Sequence, residues 1–528
     1  MGASSRSLVR HGSALSLLTL VSRVLGLLRE MAKASLLGTT ALSDAFSVAF
    51  MIPNLFRRLF AEGSISVAFI PTFKEYLIED SQGLSDNRKK IREFLSCVFT
   101  FLTFFVTLAV IVGILVSPYV VSIFGMEAFD ETVFLTRLMF PFLAFVSVAA
   151  LFQGILNSVR VFAPSGLGPI LLNLVTILCA YGFSPFTANP ARAMAIGILI
   201  GGFLEAAIQF PFVLQKGFPF FFTGLKRAFK HPGTRKVLRL IGPTIIGMAA
   251  YQLNDLVSTA LAGNAGEGVV SSLQYSLRLQ ELILGVFAVS IGTVLLPDLS
   301  EYAKSAQWDH YHERLVQAID IIALITIPIT FFALSQGETL IRLLFQSRSF
   351  DDGSVALTLS AFTFHMPGLF FIALNRILAP AFYAQSDSKS PTLAGIISFV
   401  VNMALAAILV GPLKGAGVAF ALTIASAVNT ALLLVFLRRN HQIRLDKALR
   451  AALVYAVKLI IFSCIAAIPV RALSPHILAF FAGHKRLMAQ GFPLIINAII
   501  FAVVGIILLV VTKDKQVRAI WNMVRKKG

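Results

Sequence analysis

The chain has 528 residues, 57% of them hydrophobic and 13% charged, with a mean hydropathy of +0.82. That composition excludes an ordinary water-soluble domain and points to an all-α polytopic membrane protein. A formal charge of +19 admits nucleic acid or a membrane surface as partner, and where the basic residues fall along the chain decides between them.

Crossing the hydrocarbon core takes about 20 helical residues, which predicts about fourteen spans. In chain order they cover residues 12–37, 43–71, 93–117, 133–157, 165–184, 192–215, 237–262, 270–297, 316–335, 355–383, 391–410, 416–437, 450–470 and 489–512. The first, second and eighth are weak by hydropathy because they carry charges. The first contains Arg23 and Arg29, and no small-residue cleavage site follows it, so it reads as a retained helix rather than a leader. Cys97, Cys179 and Cys464 stand singly in apolar stretches, a pattern of small core residues rather than of a metal or redox pair.

Basic residues concentrate in alternate connections: 84–93, 216–236, 437–450 and the tail 512–528. Assigned this way, about 29 Lys and Arg lie inside, about 7 outside and about 9 within spans, a bias that predicts both termini on the cytoplasmic side. The charge is then explained by orientation and by attraction to anionic lipid headgroups, and nucleic acid is excluded as a partner.

An internal repeat orders the spans. SISVAFIPTFKEY from Ser64 and SIGTVLLPDLSEY from Ser290 share residues at matching offsets, about 226 residues apart, and the same shift carries Pro141 onto Pro367. Two six-span lobes follow, 1–215 and 237–437, joined by the basic linker 216–236. Their even span count predicts a pseudo-two-fold axis along the membrane normal. Two extra helices within 438–512 and a basic tail, 513–528, fall outside the repeat.

The cations inside the spans carry the functional argument. Arg23 and Arg29 lie in the first span, Arg57 and Arg58 in the second and Arg278 in the eighth. Each ionised side chain at a helix centre costs roughly 2.5–3.5 kcal/mol on insertion scales, so the site must hold something that needs them. A guanidinium fork suits a diphosphate, and basic residues outnumber acidic ones within the spans, which favours an anionic substrate over a cationic drug. On helical spacing Arg23 and Glu30 share a face, Asn54 and Arg57 form one stripe, and Arg58 and Glu62 form an i, i+4 pair. Asp44 opens the second span as a cap or gate residue. The alternative is that these arginines snorkel to headgroups or pair with Glu30, Asp44, Glu62, Asp255 and Glu281.

No phosphate loop, HExxH, GxSxG or cluster of His, Cys and carboxylate is present in the sequence, so an enzyme is not expected. Energy must then come from ion gradients, membrane potential or substrate gradients. Asp255, Asn402 and Thr423 are candidate oxygen ligands for a small cation, with helix-to-helix bonding as the alternative.

The stretches SRVLGLLRE (22–30), SDAF (43–46), PNLFRRLFAEGSISVAFIP (53–71) and RLQELILGVFAVSIGTVLLP (278–297) resemble the MurJ/MviN lipid II flippases, over essentially the whole chain. Their superfamily also holds polysaccharide flippases and cation-coupled multidrug extruders, the alternative functions. The resemblance implies a monomeric protein of the bacterial inner membrane that moves the undecaprenyl-diphosphate-linked peptidoglycan precursor to the outer leaflet by alternating access, with membrane lipids and cell-wall synthesis proteins as further partners. It implies that Arg29, Arg57 and Arg278 are the cavity arginines, with Arg23 and Asn54 beside them and Asp44, Glu62, Glu30 and Arg58 in gating or structural roles. It also implies that the two extra helices line a groove for the lipid tail. Coupling to Na+ or H+, or membrane potential alone, could drive the cycle; Ala406 counts against sodium, since it stands where some members carry a second carboxylate after the asparagine equivalent to Asn402.

Overall fold

The computed structural model describes residues 2–59, 68–81, 87–439 and 445–518. Among these residues every regular element is helical: α1 (Gly2–Leu37), α2 (Ala41–Arg57), α3 (Ile70–Ser81), α4 (Asn87–Ser122), α5 (Phe129–Met139), α6 (Phe142–Ser158), α7 (Ala163–Gly182), α8 (Pro190–Gln215), α9 (Leu225–Lys230), α10 (Pro232–Gly263), α11 (Val269–Lys304), α12 (Trp308–Phe345), α13 (Asp352–His365), α14 (Gly368–Ala384), α15 (Lys389–Arg438), α16 (Leu445–Phe480) and α17 (Phe492–Val511). Packing divides the chain into Met1–Ser271 and Ser272–Gly528, the division falling in the first turn of α11.

Among the described residues eight helices are long and apolar enough to cross a membrane, and the bent pair α13 and α14, at 46°, makes a ninth. α15 is two spans, because Lys414 leaves helical geometry at φ 48°, ψ −128°. There the chain doubles back so tightly that a Cβ on Gly417 would strike the Leu409 carbonyl, which requires glycine. The architecture is thus consistent with the fourteen expected spans.

The repeat is written into helix boundaries. Phe142 and Gly368 open α6 and α14, each just after its proline break, and Ala163 and Lys389 open α7 and α15, all at the same shift of about 226 residues. The first four residues of the first repeated segment, 64–67, and the candidate residue Glu62 lie outside the described residues.

Within the first unit, Leu37, Phe46, Leu135, Phe142, Met194 and Ile198 form a core that holds α1, α2, α5, α6 and α8 together. A second core is aromatic: Phe69, Phe73 and Phe94 stack at centroid separations of 5.4–6.4 Å, with Tyr76 4.6 Å from Phe94. Backbone N–H groups of Phe221 and Thr223 donate to Ser96 Oγ and Thr100 Oγ1, pinning the linker on α4. Within the second unit, α16 and α17 pack on α12 through small apolar clusters and one buried polar knot. In that knot Asn497 Nδ2 donates to Gln336 Oε1 at 2.8 Å and to Ser474 Oγ at 3.2 Å, a device suited to a medium where apolar contact alone gives helices little reason to associate. Cys97 and Cys179 are buried as expected, whereas Cys464 is exposed on α16.

Candidate functional site

Arg29 sits on α1 with its side chain 15% exposed. Its Nη1 donates to Asn173 Oδ1 on α7 at 3.1 Å and its Nη2 to Glu30 Oε1 at 2.8 Å, and the guanidinium lies 5.5 Å from the centre of the Phe50 ring on α2. Asn173 is itself oriented by bonds from its Nδ2 to the carbonyls of Pro169 and Ser22. A guanidinium carries five N–H donors. The single carboxylate oxygen and the amide leave donors that an incoming anion can take.

Glu30 corrects one expectation. Helical spacing pairs it with Arg23, yet its carboxylate bridges Arg29 and Lys33, the latter at 3.5 Å. Lys33 is one turn along the same face, and Arg29 reaches Glu30 because a long flexible side chain can curl toward its chain neighbour. Arg23 is half-buried and makes no hydrogen bond or ion pair among the described residues.

On α2, Arg57 Nε donates to Asn54 Oδ1 at 2.7 Å, the stripe that spacing predicts. Arg58, just after the helix, faces Asp255 at 3.5 Å and Gln252 at 3.4 Å. Its expected partner Glu62 lies outside the described residues. Arg278 on α11 is 28% exposed and rests 3.4 Å from Glu281, a long contact between groups that both reach solvent or lipid, and so a weak one.

Asp44 is buried, 4% exposed, and does not cap its own helix. Its Oδ2 accepts from the Gly268 N–H at 2.8 Å and its Oδ1 from the Ser271 N–H at 2.7 Å, so it caps the start of α11. Two orphan amides of a helix N-terminus meet a carboxylate there, the arrangement the helix dipole favours. Gly268 has φ 77°, and a side chain on it would collide with the Thr39 carbonyl. The neighbouring Ala41 N–H donates to Glu267 Oε1 at 2.8 Å, closing the same junction from the other side.

Further along α11, Ser276 Oγ and His365 Nδ1 are 2.6 Å apart, and Gln280 Nε2 donates to the His365 carbonyl. Pro367 breaks the helix there, which strips successive carbonyls of their helical donors. Thr423 Oγ1 donates to the Phe364 carbonyl at 2.6 Å and Thr330 Oγ1 to that of Met366 at 3.3 Å. Three neighbouring helices thus restore what the break removes.

Two of the residues read as candidate cation ligands have protein partners. Asp255 is held by Arg58, Thr423 clasps a backbone carbonyl, and Asn402 is buried in α15. Among the described residues no three of His, Cys, Asp and Glu gather as a metal site.

A family model described as lipid II flippase MurJ matches residues 33–484. A probable lipid II flippase of Treponema pallidum is 46% identical over 512 residues, covering 97% of each chain. This chain belongs to the lipid II flippase MurJ family. Among solved structures, a lipid II flippase MurJ in an inward closed conformation superposes with a TM-score of 0.76 at 22% identity, over 95% of this chain and 99% of that one. An inward-facing multidrug resistance MATE transporter of the MOP superfamily gives 0.62 at 14% identity, over 78% and 92%. Those two likenesses show the fold of this chain.

Sequence reasoning missed Asn173, Ser276, Gln280 and His365. Asn173 and His365 are lone polar side chains in apolar stretches, where lipid offers them no partner, and that isolation is the signal that calls for one, whereas Ser276 and Gln280 are masked by the other polar residues of SSLQYSLRLQE.

Proposed function

We propose that this member of the MurJ family is a lipid II flippase of the bacterial inner membrane, multi-pass with both termini cytoplasmic, that carries the lipid-linked precursor across by alternating access. Arg29, Arg57 and Arg278 hold the diphosphate, with Arg23 and Asn54 beside them. The observation that carries the assignment is the state of Arg29: a buried cation in a spanning helix, held by one carboxylate oxygen and one amide. Those partners satisfy it at rest and can be exchanged.

In this reading each phosphate oxygen replaces a resting partner, Glu30 for Arg29, Asn54 for Arg57 and Glu281 for Arg278. Neutralising the cations lowers the cost of bringing like charges together, so substrate binding favours closure on the side of entry. The junction of Asp44 with α11 is the gate on the opposite side, held by backbone amides rather than by a charge pair. The lipid tail stays in the bilayer along α16 and α17. Membrane potential drives the cycle: with the cytoplasmic side negative, a bound dianion moving outward gains about 2.3 kcal/mol per charge per 100 mV.

The test is complementation of a flippase-depleted strain. Arg29→Ala, Arg57→Ala and Arg278→Ala should each abolish growth while the protein stays in the membrane, and the lipid-linked precursor should accumulate on the inner leaflet. Full growth of any one variant removes that residue from the site.

A further inference from the structure

Lys33 is a lysine with 2% exposure in the middle of the molecule, and nothing in the mechanism above uses it. It stands one turn after Glu30 on α1. Its Nζ donates to Ser47 Oγ on α2 at 2.9 Å and lies 3.5 Å from Glu30 Oε2. The other oxygen of the same carboxylate, Oε1, accepts from Arg29. One buried acid therefore serves two cations through separate oxygens.

We propose that Lys33 is a positioning residue that allows Arg29 to exchange Glu30 for the substrate diphosphate. The inference rests on the reading of Arg29 as a diphosphate ligand. When the guanidinium turns to the incoming anion, Glu30 would be stranded, and a buried carboxylate without a cation is strongly disfavoured. Lys33 remains beside it, so the exchange leaves no unpaired charge. Asn173 keeps hold of the guanidinium from α7 during the exchange, so the group swings rather than leaves. Lys33 also adds a positive charge beside the Arg29–Glu30 pair, one that the Asp44 carboxylate on α2 partly offsets. Ser47 fixes the ammonium: it lies on α2 between Asp44, which caps α11, and Phe50, whose ring lies beside Arg29.

A lysine that merely fastened α1 to α2 would show the same burial and the same bond to Ser47. The two roles separate through Glu30. The full chain, purified in detergent, is titrated with undecaprenyl diphosphate and binding is read by native mass spectrometry. Lys33→Met is expected to bind about tenfold more weakly, because exchange now strands the carboxylate. Lys33→Arg keeps the charge and should restore binding. Adding Glu30→Gln to Lys33→Met should also restore it, since no carboxylate is left to strand. Parental binding by Lys33→Met, or no recovery in the double variant, overturns the proposal. If Lys33→Met fails to fold, Glu30→Gln alone carries the test: it should bind more tightly than the parent, and weaker binding overturns the proposal. Arg29→Ala is measured alongside. If it binds like the parent, the reading of Arg29 has failed, whereas loss in Arg29→Ala with none in Lys33→Met removes only the role of Lys33.

Discussion

Asp44 offers the sharpest test of how the junction at α11 is built. Replacing it with Ala removes two hydrogen bonds, at 2.8 and 2.7 Å, from the first amides of the helix. Losing a capping side chain costs about 0.5–2 kcal/mol and leaving buried donors unsatisfied about 1–3 kcal/mol, overlapping contributions that together give about 2–3 kcal/mol of local opening. The observable is amide exchange at Gly268 and Ser271, which reports local opening directly. With every 1.4 kcal/mol worth a factor of ten, Asp44→Ala should speed their exchange by about 30-fold to 100-fold. Asp44→Asn retains an acceptor oxygen but not the charge, and should fall between, at about tenfold. The aromatic core around Phe94, far along the chain and outside this junction, should keep its exchange rates. Unchanged exchange at Gly268 and Ser271 in Asp44→Ala would refute the claim that the carboxylate holds the helix start.

Two further outcomes follow from other contacts. Thr423→Val removes the hydroxyl that serves the Phe364 carbonyl and should destabilise the purified protein by about 1–3 kcal/mol. The loss should be the same with sodium or potassium as the only cation, and a loss confined to sodium would return Thr423 to the role of ion ligand. His231 lies in the linker near Tyr76 and Phe94, and burial pushes its imidazole below the ordinary value of 6.5. A depressed value means the unfolded chain binds the proton first as pH falls. The stability His231 contributes is thus complete above 6.5 and is lost as pH drops through the lowered value. Limited proteolysis of the 216–236 linker should accelerate below that point, and His231→Phe should remove the acceleration.

Much of the fold was legible without coordinates because lipid imposes a simple rule: backbone polar groups must be satisfied within each span, so apolar length predicts helices. The correspondence of Pro141 with Pro367 was readable from the repeat and the stripe of Asn54 and Arg57 from helical spacing, whereas the helix breaks at those prolines fell inside spans read as continuous, 133–157 and 355–383. Less legible was which acid meets which base. Glu30 was paired with Arg23 on spacing alone, while a neighbour and a lysine one turn away claimed it. Asp255 and Thr423 looked like ion ligands because an oxygen in a span needs a partner, and the sequence does not say whether that partner is an ion, a guanidinium or a carbonyl.

What the sequence by itself determined is therefore local: helices, the repeat and the presence of cations too expensive to be accidental. Tertiary structure alone decided that Asn173 reaches Arg29 across 144 positions and that Asp44 reaches Ser271 across 227. The physical reason is one of range. Helix periodicity follows from bonds four residues apart, whereas hydrogen bonds between spans depend on distances of about 3 Å that packing sets only after the chain has folded.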